Sequence, residues 1–390
     1  MKKQLLFING HLNAGGCERS LTDLLRNINY KKYDVDLLLL ENLGDYFEEL
    51  PKEVNVIFYP LGNAFGSFRY CMLSAIKKRD WFSFWYRLIH LYSTKFGIEK
   101  LKHTRKLFKK VKNHYDAIIA YRPGVCTDLA AFAFSADKKI SWWHHGELNL
   151  SETQISKLDK VYSEVDTIVA VSQSSEAIVL SNFKNSTNKT CVIPNMICTD
   201  ELIAKSRAHI DFADDKSLLK IVTVGRMSPE KNMLLCPKIA QKLIYHQCKF
   251  IWYMIGDGEE MSALQDEIAQ NGLSDKFVLT GRLENPYPYI YKADVLLHPS
   301  LVESQGLTIL EAMVLETPVV VVESAGPKEF IESGKNGFLL PCNVDSICKT
   351  ISSKAWINGS IISEAKKTVG EISPEKIMKY FYEIVENISN

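Results

Sequence analysis

Short runs of Val, Ile, Leu and aromatic residues recur along the chain, and each ends in Gly, Ser, Pro or a charged residue. Examples are QLLFING at residues 4–10, LLKIVTVGR at 218–226 and PVVVVES at 318–324. Runs that are apolar on both faces are typical of parallel strands covered by helices. Helical patterns such as GGCERSLTDLLRNI and GEEMSALQDEIAQNG lie between many of them. The alternation predicts the α/β class, with doubly wound parallel sheets.

The series of strands breaks once, at a polar and charged stretch over residues 198–217. A fresh strand pattern begins directly after it. We therefore predict two Rossmann-like domains, over residues 1–200 and 201–372, and expect the final helix over 373–390 to pack back on the first. Ligands bind beyond the carboxyl ends of the strands in open α/β sheets. Two such domains that face each other would bind a ligand in the cleft between them.

Composition narrows the class of protein. The chain has 390 residues, of which 46% are apolar, which is enough for two cores. The net charge of +1 gives no overall reason to expect nucleic acid as a partner. Nine cysteines without a C-x-x-C pair are expected to be buried thiols of a reducing compartment. The first apolar run is too short for a signal peptide, and no run approaches the ~20 residues of a membrane span. These features predict a cytoplasmic protein.

The stretch GRMSPEKN follows the first strand of the second domain. Ser228 and Pro229 are typical of a helix start, which places Arg226 before that start and Lys231 in its first turns. Cations are unfavourable at a helix N-terminus unless an anion joins them, because the macrodipole is positive there. One interpretation is a solvated turn with incidental charges. The other, which we favour, is a phosphate clamp in which the arginine grips two oxygens and the lysine acts as a point charge.

The stretch VESQGLTILEAM follows a later strand of the same domain. It could be an amphipathic helix whose two acids face water. Its position at a strand end favours a ligand site, because free N–H groups around Gly306, Leu307 and Thr308 would bind phosphate. Glu303 would then lie in the loop before the anion and Glu311 a turn or more inside the helix.

Two carboxylates beside a diphosphate would repel it unless they bind hydroxyl groups. A ligand with phosphates flanked by two hydroxyl-bearing rings satisfies both requirements. The pattern of two cations, a helix start and two acids therefore predicts a nucleotide sugar.

These motifs together resemble a known family. GRMSPEKN, IGDGEE, VESQGLTILEAM and GKNGFLL are similar to the C-terminal half of family 4 retaining glycosyltransferases of the GT-B fold. NAGGCERSL resembles the glycine-rich loop after the first strand of that family, and VIPN resembles the segment that leads into its second domain. The resemblance spans most of the chain, but residues 60–115 carry none of it.

The resemblance implies a role for each matching position. Arg226 and Lys231 would neutralise the leaving diphosphate, and Glu303 would lie near the hydroxyls of the donor sugar. The implied donor-binding residues are Glu311 at the ribose, Gly306, Leu307 and Thr308 as backbone donors to phosphate, Gly15 and Gly16 in the glycine-rich loop, and Leu283, in GRLENPYPY, beside the base. The family also implies that no metal ion takes part.

A histidine at the end of an N-domain strand commonly faces the donor sugar in this family. The stretch KKISWWHHGELN offers two candidates. Counting along the strand selects His144, and matching a histidine followed by glycine selects His145. We rank the first of them higher. His298, at another strand end, is interpreted as structural.

The predicted function is retaining transfer of a sugar from a nucleotide sugar, with UDP-sugar favoured, to a glycan, glycolipid or lipid-linked acceptor in cell-surface polysaccharide assembly. No cofactor is expected besides the donor itself. A glycosidase would not need cations for a diphosphate, and GHLNAGG does not give the G-x-G-x-x-G of a dehydrogenase. The main alternative is a non-catalytic subunit that binds or stabilises a partner.

Residues 68–112 differ from the rest of the chain. They contain thirteen Lys and Arg against two acids, a local charge of +11, together with a dense aromatic cluster. Basic and aromatic residues together are typical of a surface that contacts an anionic membrane. The alternative is a solvated helical face over an aromatic core. Nucleic acid fits less well, since no recognised binding module accompanies the charge.

Overall fold

The computed structural model describes residues 2–13, 15–64, 67–184 and 186–386. The chain divides into two compact units. The first unit takes residues Met1–Pro194 and Ile377–Asn390, and the second takes Asn195–Lys376. The first boundary thus falls a few residues before residue 200, and the second falls a few residues after residue 372. Residues 387–390 of the predicted final segment lie outside the described part of the chain.

The first unit is built on a parallel sheet. Its strands are β1 Lys3–Asn9, β2 Tyr33–Leu39, β3 Val54–Phe58, β4 Tyr115–Ala120, β5 Ala136–Trp143, β6 Thr167–Ala170 and β7 Thr190–Val192. In the described residues these seven strands follow the order β3-β2-β1-β4-β5-β6-β7. The centre of β1 and β4 is fully buried, as their continuous apolar runs predict.

Helices connect the strands of this sheet. They are α1 Gly16–Arg26, α2 Phe68–Lys78, α3 Trp81–Phe96, α4 Val125–Phe132, α5 Glu152–Ser163 and α6 Gln173–Asn182, with 3-10 turns at Phe47–Glu49, Gly62–Ala64 and Ile98–Leu107.

The second unit repeats the plan on a smaller sheet. Its strands are β8 Leu219–Val224, β9 Phe250–Ile255, β10 Phe277–Gly281, β11 Val295–His298, β12 Val319–Val322 and β13 Phe338–Leu340, in the order β10-β9-β8-β11-β12-β13. Its helices are α7 Thr199–Ser206, α8 Leu235–Tyr245, α9 Met261–Gln270, α10 Tyr287–Lys292, α11 Leu307–Val314, α12 Val344–Ser352 and α13 Gly359–Gly370, with 3-10 turns at Pro229–Lys231 and Pro327–Glu329. The last helix of the chain is α14, Pro374–Glu386.

Each sheet reverses its strand order beside its first strand. β1 lies between β2 and β4, and β8 lies between β9 and β11, all in parallel pairs. The connections that leave the carboxyl ends of such neighbours diverge and open a crevice for ligands. The predicted α/β class with two parallel Rossmann-like sheets is therefore confirmed. The glycine-rich loop follows β1, and the two motifs with the cations and the acids follow β8 and β11.

Three strands escaped prediction from the hydrophobic pattern: β2, β3 and β13. β2 reads YDVDLLL, and its second acid, Asp36, is buried. Its carboxylate accepts hydrogen bonds from Tyr115 Oη at 2.7 Å and Asn55 Nδ2 at 2.8 Å. Lys112 Nζ lies 3.3 Å from the same carboxylate. A buried acid that is satisfied by neighbouring strands breaks the apolar run that sequence patterns rely on.

The cysteines differ in burial. All nine cysteines are described and free, but only Cys71, Cys126, Cys236 and Cys348 are buried. The expectation of uniformly buried thiols is therefore wrong for the other five, and Cys342 is exposed. Among the described helices, none combines the length and the apolar composition that a membrane span requires.

The final helix packs on the sheet of the first unit. The ring of Phe381 lies 6.1 Å from that of Phe7, and Tyr382 stacks on Tyr33 with ring centres 5.5 Å apart. Tyr382 Oη also accepts a hydrogen bond from the backbone N–H of Asn29 at 2.8 Å. These contacts fix the end of the chain to strands at its beginning.

We expect Phe381→Ala to lower the free energy of unfolding of the first unit by about 3–5 kcal/mol, because the ring is fully buried. The matched control is Tyr380→Ala on the exposed side of the same helix, which should cost less than about 1 kcal/mol. Urea unfolding followed by tryptophan fluorescence measures both. Equal losses would contradict the packing described above.

Candidate functional site

The loop after β8 carries the two predicted cations, but it does not begin a long helix as predicted. Residues Pro229–Lys231 form a single 3-10 turn, and Asn232 then adopts a left-handed conformation with φ of 55°. Ser228 does not cap the turn; its hydroxyl donates to Glu230 Oε1 at 2.7 Å. The left-handed residue ends the turn, so α8 starts only at Leu235.

The loop after β9, which contains IGDGEE, packs closely on the loop after β8. Gly256 has a φ of 142°, and a Cβ atom there would lie 1.8 Å from the carbonyl oxygen of Gly225. Met227 donates its N–H to Asp257 O at 3.0 Å and accepts from Glu260 N at 2.9 Å. The glycine is thus required by the close approach of the two backbones, which is a structural role.

The loop after β11 is tied to the same 3-10 turn. The backbone N–H of Leu301 donates to Glu230 O at 2.9 Å, and Ser300 Oγ donates to that oxygen at 3.3 Å. Asn232 Nδ2 donates to Pro299 O at 3.2 Å. These bonds bring the turn with Lys231 against the loop that carries the first glutamate.

Glu303 lies at the centre of the resulting cluster. Lys231 Nζ donates to its Oε1 at 2.5 Å, and His298 Nε2 lies 2.7 Å from the same oxygen. Only 11% of the glutamate side chain is exposed. Burial by itself raises the pKa of Glu303, but the hydrogen bond and charge of His298 and those of Lys231 outweigh it and lower the pKa to about 2. The carboxylate is therefore ionised at every physiological pH.

His298 belongs to this cluster, although the sequence interpretation treated it only as structural. It ends β11, is buried, and presents Nε2 to the glutamate. Its Nδ1 atom has no hydrogen-bond partner in the described part of the chain. The signal in the sequence was the histidine at the strand end, five residues before the acid. We assign it as a positioning residue for Glu303.

The start of α11 lies directly after this acid. Gly306 caps the helix with a φ of 88°, and a Cβ atom there would lie 2.9 Å from Ile309 Cδ1. The first N–H groups of a helix, here those of Leu307 and Thr308, have no acceptor within the helix. Gly326 supports the loop from behind and donates its N–H to Glu303 O at 3.1 Å. The predicted helix start is therefore present directly after the acid, and its binding of an anion stays a prediction.

A second residue of this loop has a partner that sequence reasoning missed. Gln305 is buried and accepts from the backbone N–H of Asn195 at 2.9 Å and from its Nδ2 at 2.7 Å. Gln305 Nε2 donates back to Asn195 O at 3.2 Å. The asparagine is the last residue of VIPN and the first residue of the second unit, so its contact with Gln305 lies within that unit.

The remaining candidates of the second unit make other contacts. Glu311 Oε1 accepts from Tyr287 Oη at 3.1 Å, and that tyrosine begins α10. Leu283 is partly buried against the hydrophobic core that contains Tyr287. Arg226 is exposed at the end of β8. The structure thus joins Lys231 to Glu303 directly and carries the other candidates on neighbouring loops and helices.

The candidates of the first unit form a separate group. Gly15 precedes α1, which begins at Gly16, and a Cβ atom on Gly15 would lie 2.6 Å from Glu18 Oε2. The carboxylate of Glu18 is buried and accepts from Arg122 Nη1 at 3.1 Å. The same arginine nitrogen lies 3.0 Å from His11 Nε2. Glu18, Arg122 and His11 were not singled out from the sequence, because Arg122 is more than 100 residues away from the other two.

The two candidate histidines differ in environment. His144 packs its ring 5.0 Å from that of Tyr121, and its Nε2 is buried without a partner among the described residues. Burial, and next the charges of His145 and Arg122, lower the pKa of His144 to about 3. The imidazole is therefore neutral at physiological pH, and its Nε2 atom can form one hydrogen bond with a ligand. His145 is exposed, and its backbone oxygen accepts from Trp143 Nε1 and Ser175 Oγ, both at 3.1 Å.

Comparison with known proteins shows which proteins this chain resembles in sequence and in fold. The model of the family described as Glycosyl transferases group 1 matches residues 219–353. The uncharacterized glycosyltransferase MJ1059 of Methanocaldococcus jannaschii is 24% identical over 59% of this chain and 62% of its own. The lipopolysaccharide core biosynthesis glycosyltransferase LpsE of Rhizobium meliloti is 29% identical over 38% of this chain and 42% of its own. The chain therefore spans about two fifths to three fifths of the length of these relatives.

The crystal structure of HepE from Anabaena, in complex with UDP and glucose, has the same fold. It superposes with a TM-score of 0.71 at 16% identity and covers 99% of this chain and 100% of its own. The two units are therefore the two Rossmann-like domains of a GT-B protein. Within that class, the chain is similar to family 4 glycosyltransferases, and the group 1 match lies inside its second unit.

We expect Glu303→Gln to lower the free energy of unfolding of the second unit by about 3 kcal/mol at pH 7. The folded-state pKa is depressed, so this stabilisation is present above the unfolded pKa and is lost as the pH falls towards 2. The difference in the free energy of unfolding between wild type and variant should therefore be roughly 1 kcal/mol smaller at pH 3.5 than at pH 7. Urea unfolding at the two pH values measures it.

The control for this variant is Glu323→Gln, which removes a carboxylate that is 41% exposed and paired with Lys328. It should change stability by less than about 1 kcal/mol. A Glu303→Gln difference that does not depend on pH would contradict the depressed pKa.

Proposed function

We propose that this chain is a retaining glycosyltransferase that moves a sugar from a nucleotide-sugar donor to a glycan, glycolipid or lipid-linked acceptor. The observation that carries the proposal is the buried contact of Glu303 with Lys231 and His298 beside the start of α11. A cation from the loop after β8, next to a fixed carboxylate and a helix start from the loop after β11, would match what a sugar diphosphate requires. The fold supports the same function by its likeness to a GT-B structure with UDP and glucose.

The diphosphate would bind between Arg226, Lys231 and the first N–H groups of α11. A charge-assisted hydrogen bond contributes about 1.5–3 kcal/mol and a helix start about 0.3–2 kcal/mol. Together they would stabilise the charge that develops on the leaving diphosphate. Lys231 already pairs with Glu303, so the donor would share this cation and leave the carboxylate to accept from sugar hydroxyls. No metal ion is expected, since these cations and the helix start supply the positive charge.

The other candidates take the roles that the family resemblance implies. Glu311 would accept from the ribose hydroxyls, with Tyr287 orienting its carboxylate. Leu283 would lie beside the base. Gly15 and Gly16, with the N-terminus of α1, would approach the donor phosphates or the acceptor, and His144 would exchange its one available hydrogen bond with the donor sugar. These assignments rest on the resemblance and on the environments described above.

UDP is the favoured carrier, and cell-surface polysaccharide is the favoured product. HepE was crystallised with UDP and glucose, and LpsE is named for lipopolysaccharide core biosynthesis. The family resemblance implies retention by front-side departure, in which the leaving diphosphate helps to take the acceptor proton; double displacement through a covalent intermediate is the alternative. A location at the inner face of the cell membrane stays a prediction from the sequence.

The test is the thermal unfolding of the wild type with UDP-, GDP- and ADP-sugars, compared with Glu311→Ala. We expect one nucleotide class to raise the Tm of the wild type, and expect the shift to fade in the variant because the ribose contact is lost. The control is Glu316→Ala, an exposed acid past the end of α11. No shift with any donor would overturn the proposal in favour of a non-catalytic subunit.

We expect the loss in kcat caused by Lys231→Ala or Arg226→Ala to exceed the loss in donor affinity by at least about tenfold, because the negative charge on the diphosphate grows in the transition state. Initial rates and donor Kd measure the two effects. Lys238→Ala, an exposed lysine on α8, is the matched control. Equal losses in kcat and in binding would contradict the assigned role.

A further inference from the structure

Helix α3 presents a stripe of large aromatic side chains to solvent. Trp81, Trp85, Tyr92 and Phe96 are between 47% and 57% exposed. At about 100° per residue, these four positions fall within an arc of about 60°. At about 1.5 Å per residue, the stripe is about 22 Å long. We call these four residues the aromatic stripe.

The buried side of α3 fixes this orientation. Tyr86 is buried there, and Phe82 packs edge-on against Phe108 with ring centres 5.3 Å apart. Asp80 caps the helix by accepting from the N–H of Ser83 at 3.0 Å. An aromatic core under a solvated face therefore accounts for only one side of the helix. The aromatic stripe lies outside this buried side. The helix cannot rotate to bury the stripe without exposing the side chains that are now buried.

Helix α2, directly before α3, also leaves large apolar side chains in solvent. Phe68, Tyr70, Leu73 and Ile76 are between 45% and 71% exposed. A solvated helix would carry polar residues at such positions. Two successive helices with exposed apolar side chains indicate a surface that is covered in the working protein.

Positive charge surrounds both helices. Residues 68–112 carry a charge of +11, so the remainder of the chain carries −10, given the total of +1. Arg69, Lys77 and Lys78 on α2 are exposed, and Lys95 on α3 places its Nζ 5.3 Å from the ring centre of Phe96. The apolar side chains and the cations thus share the same pair of helices.

We propose that α2 and α3 dock on the surface of an anionic lipid bilayer, with the aromatic stripe at the level of the headgroups. Trp and Tyr favour that level because one end of each ring is apolar and the other is polar. Exposed cations beside them attract anionic lipids. A second copy of the chain would oppose one positively charged face with another, which is unfavourable.

The structure changes which residues of the basic segment should matter. Arg105 donates to the backbone oxygens of Phe108 and Val111, both at 2.9 Å, and Lys112 lies 3.3 Å from Asp36. These two cations serve the fold of the first unit. The docking surface therefore centres on α2 and α3. It names a partner for the proposed sugar transfer to a lipid-linked acceptor, but the docking itself does not require catalysis.

The experiment compares flotation of the protein, without donor, on phosphatidylcholine vesicles with and without about one third phosphatidylglycerol. We expect binding to the anionic vesicles, and expect Trp81→Ser with Trp85→Ser to lower the partition coefficient by at least about tenfold. The matched control, Ile244→Ser with Tyr245→Ser, removes exposed apolar side chains of α8 in the second unit. It should change binding by less than about twofold.

Charge is tested with Lys77→Gln and Lys78→Gln together, against Lys238→Gln with Lys249→Gln on the second unit. We expect only the first pair to weaken binding to anionic vesicles, with an effect that shrinks at high salt. Equal binding by all variants would overturn the proposal. A second result would also overturn the proposal. In it, the wild type does not bind vesicles but sediments as a dimer, and Trp81→Ser with Trp85→Ser dissociates that dimer.

Nucleotide-induced thermal shifts separate this inference from the proposed function. The shift should be unchanged in the α2 and α3 variants, which also verifies that they fold. Vesicle binding without any nucleotide shift would leave the docking surface standing and remove the proposed transfer. A nucleotide-induced thermal shift without vesicle binding would leave the proposed transfer standing and overturn the docking surface.

Discussion

The candidate site depends on one buried carboxylate. Glu303 is held by Lys231 and His298, which come from the ends of two neighbouring strands of the second unit. A buried anion is costly unless it is paired, so its two partners must stay in place for the loop to keep its shape. The same loop continues into the helix start at Gly306. The ion pair therefore fixes the position of the backbone N–H groups that would bind phosphate.

Ligand binding and stability are linked through this cluster. The lysine that neutralises Glu303 in the free protein is also the cation proposed to hold the donor diphosphate. The short turn that carries Lys231 is joined to the acidic loop by backbone hydrogen bonds, so the lysine does not rely on its own flexible stem alone. Gln305 joins the same loop to Asn195. A bound diphosphate would thus meet a site that is assembled before the ligand arrives, which reduces the cost of ordering it.

Much of this could be predicted from the sequence, because its signals are local. Continuous apolar runs predicted the strands that carry the candidate site, and the cations and acids after them singled out the two loops in which Lys231 and Glu303 meet. What escaped prediction depends on contacts between distant residues. Asp36 breaks the apolar pattern of β2 because its partners lie on other strands. His298 was interpreted as structural because its distance to Glu303 is set by the fold of the loop. The helix expected at Pro229 became a single turn because Asn232 is left-handed.

The most direct test of the central claim is a crystal structure of the chain with UDP bound. The account predicts diphosphate oxygens within hydrogen-bond distance of Lys231 Nζ and of the N–H groups of Leu307 and Thr308, with the ribose beside Glu311. UDP bound elsewhere, with Lys231 making no phosphate contact, would contradict it.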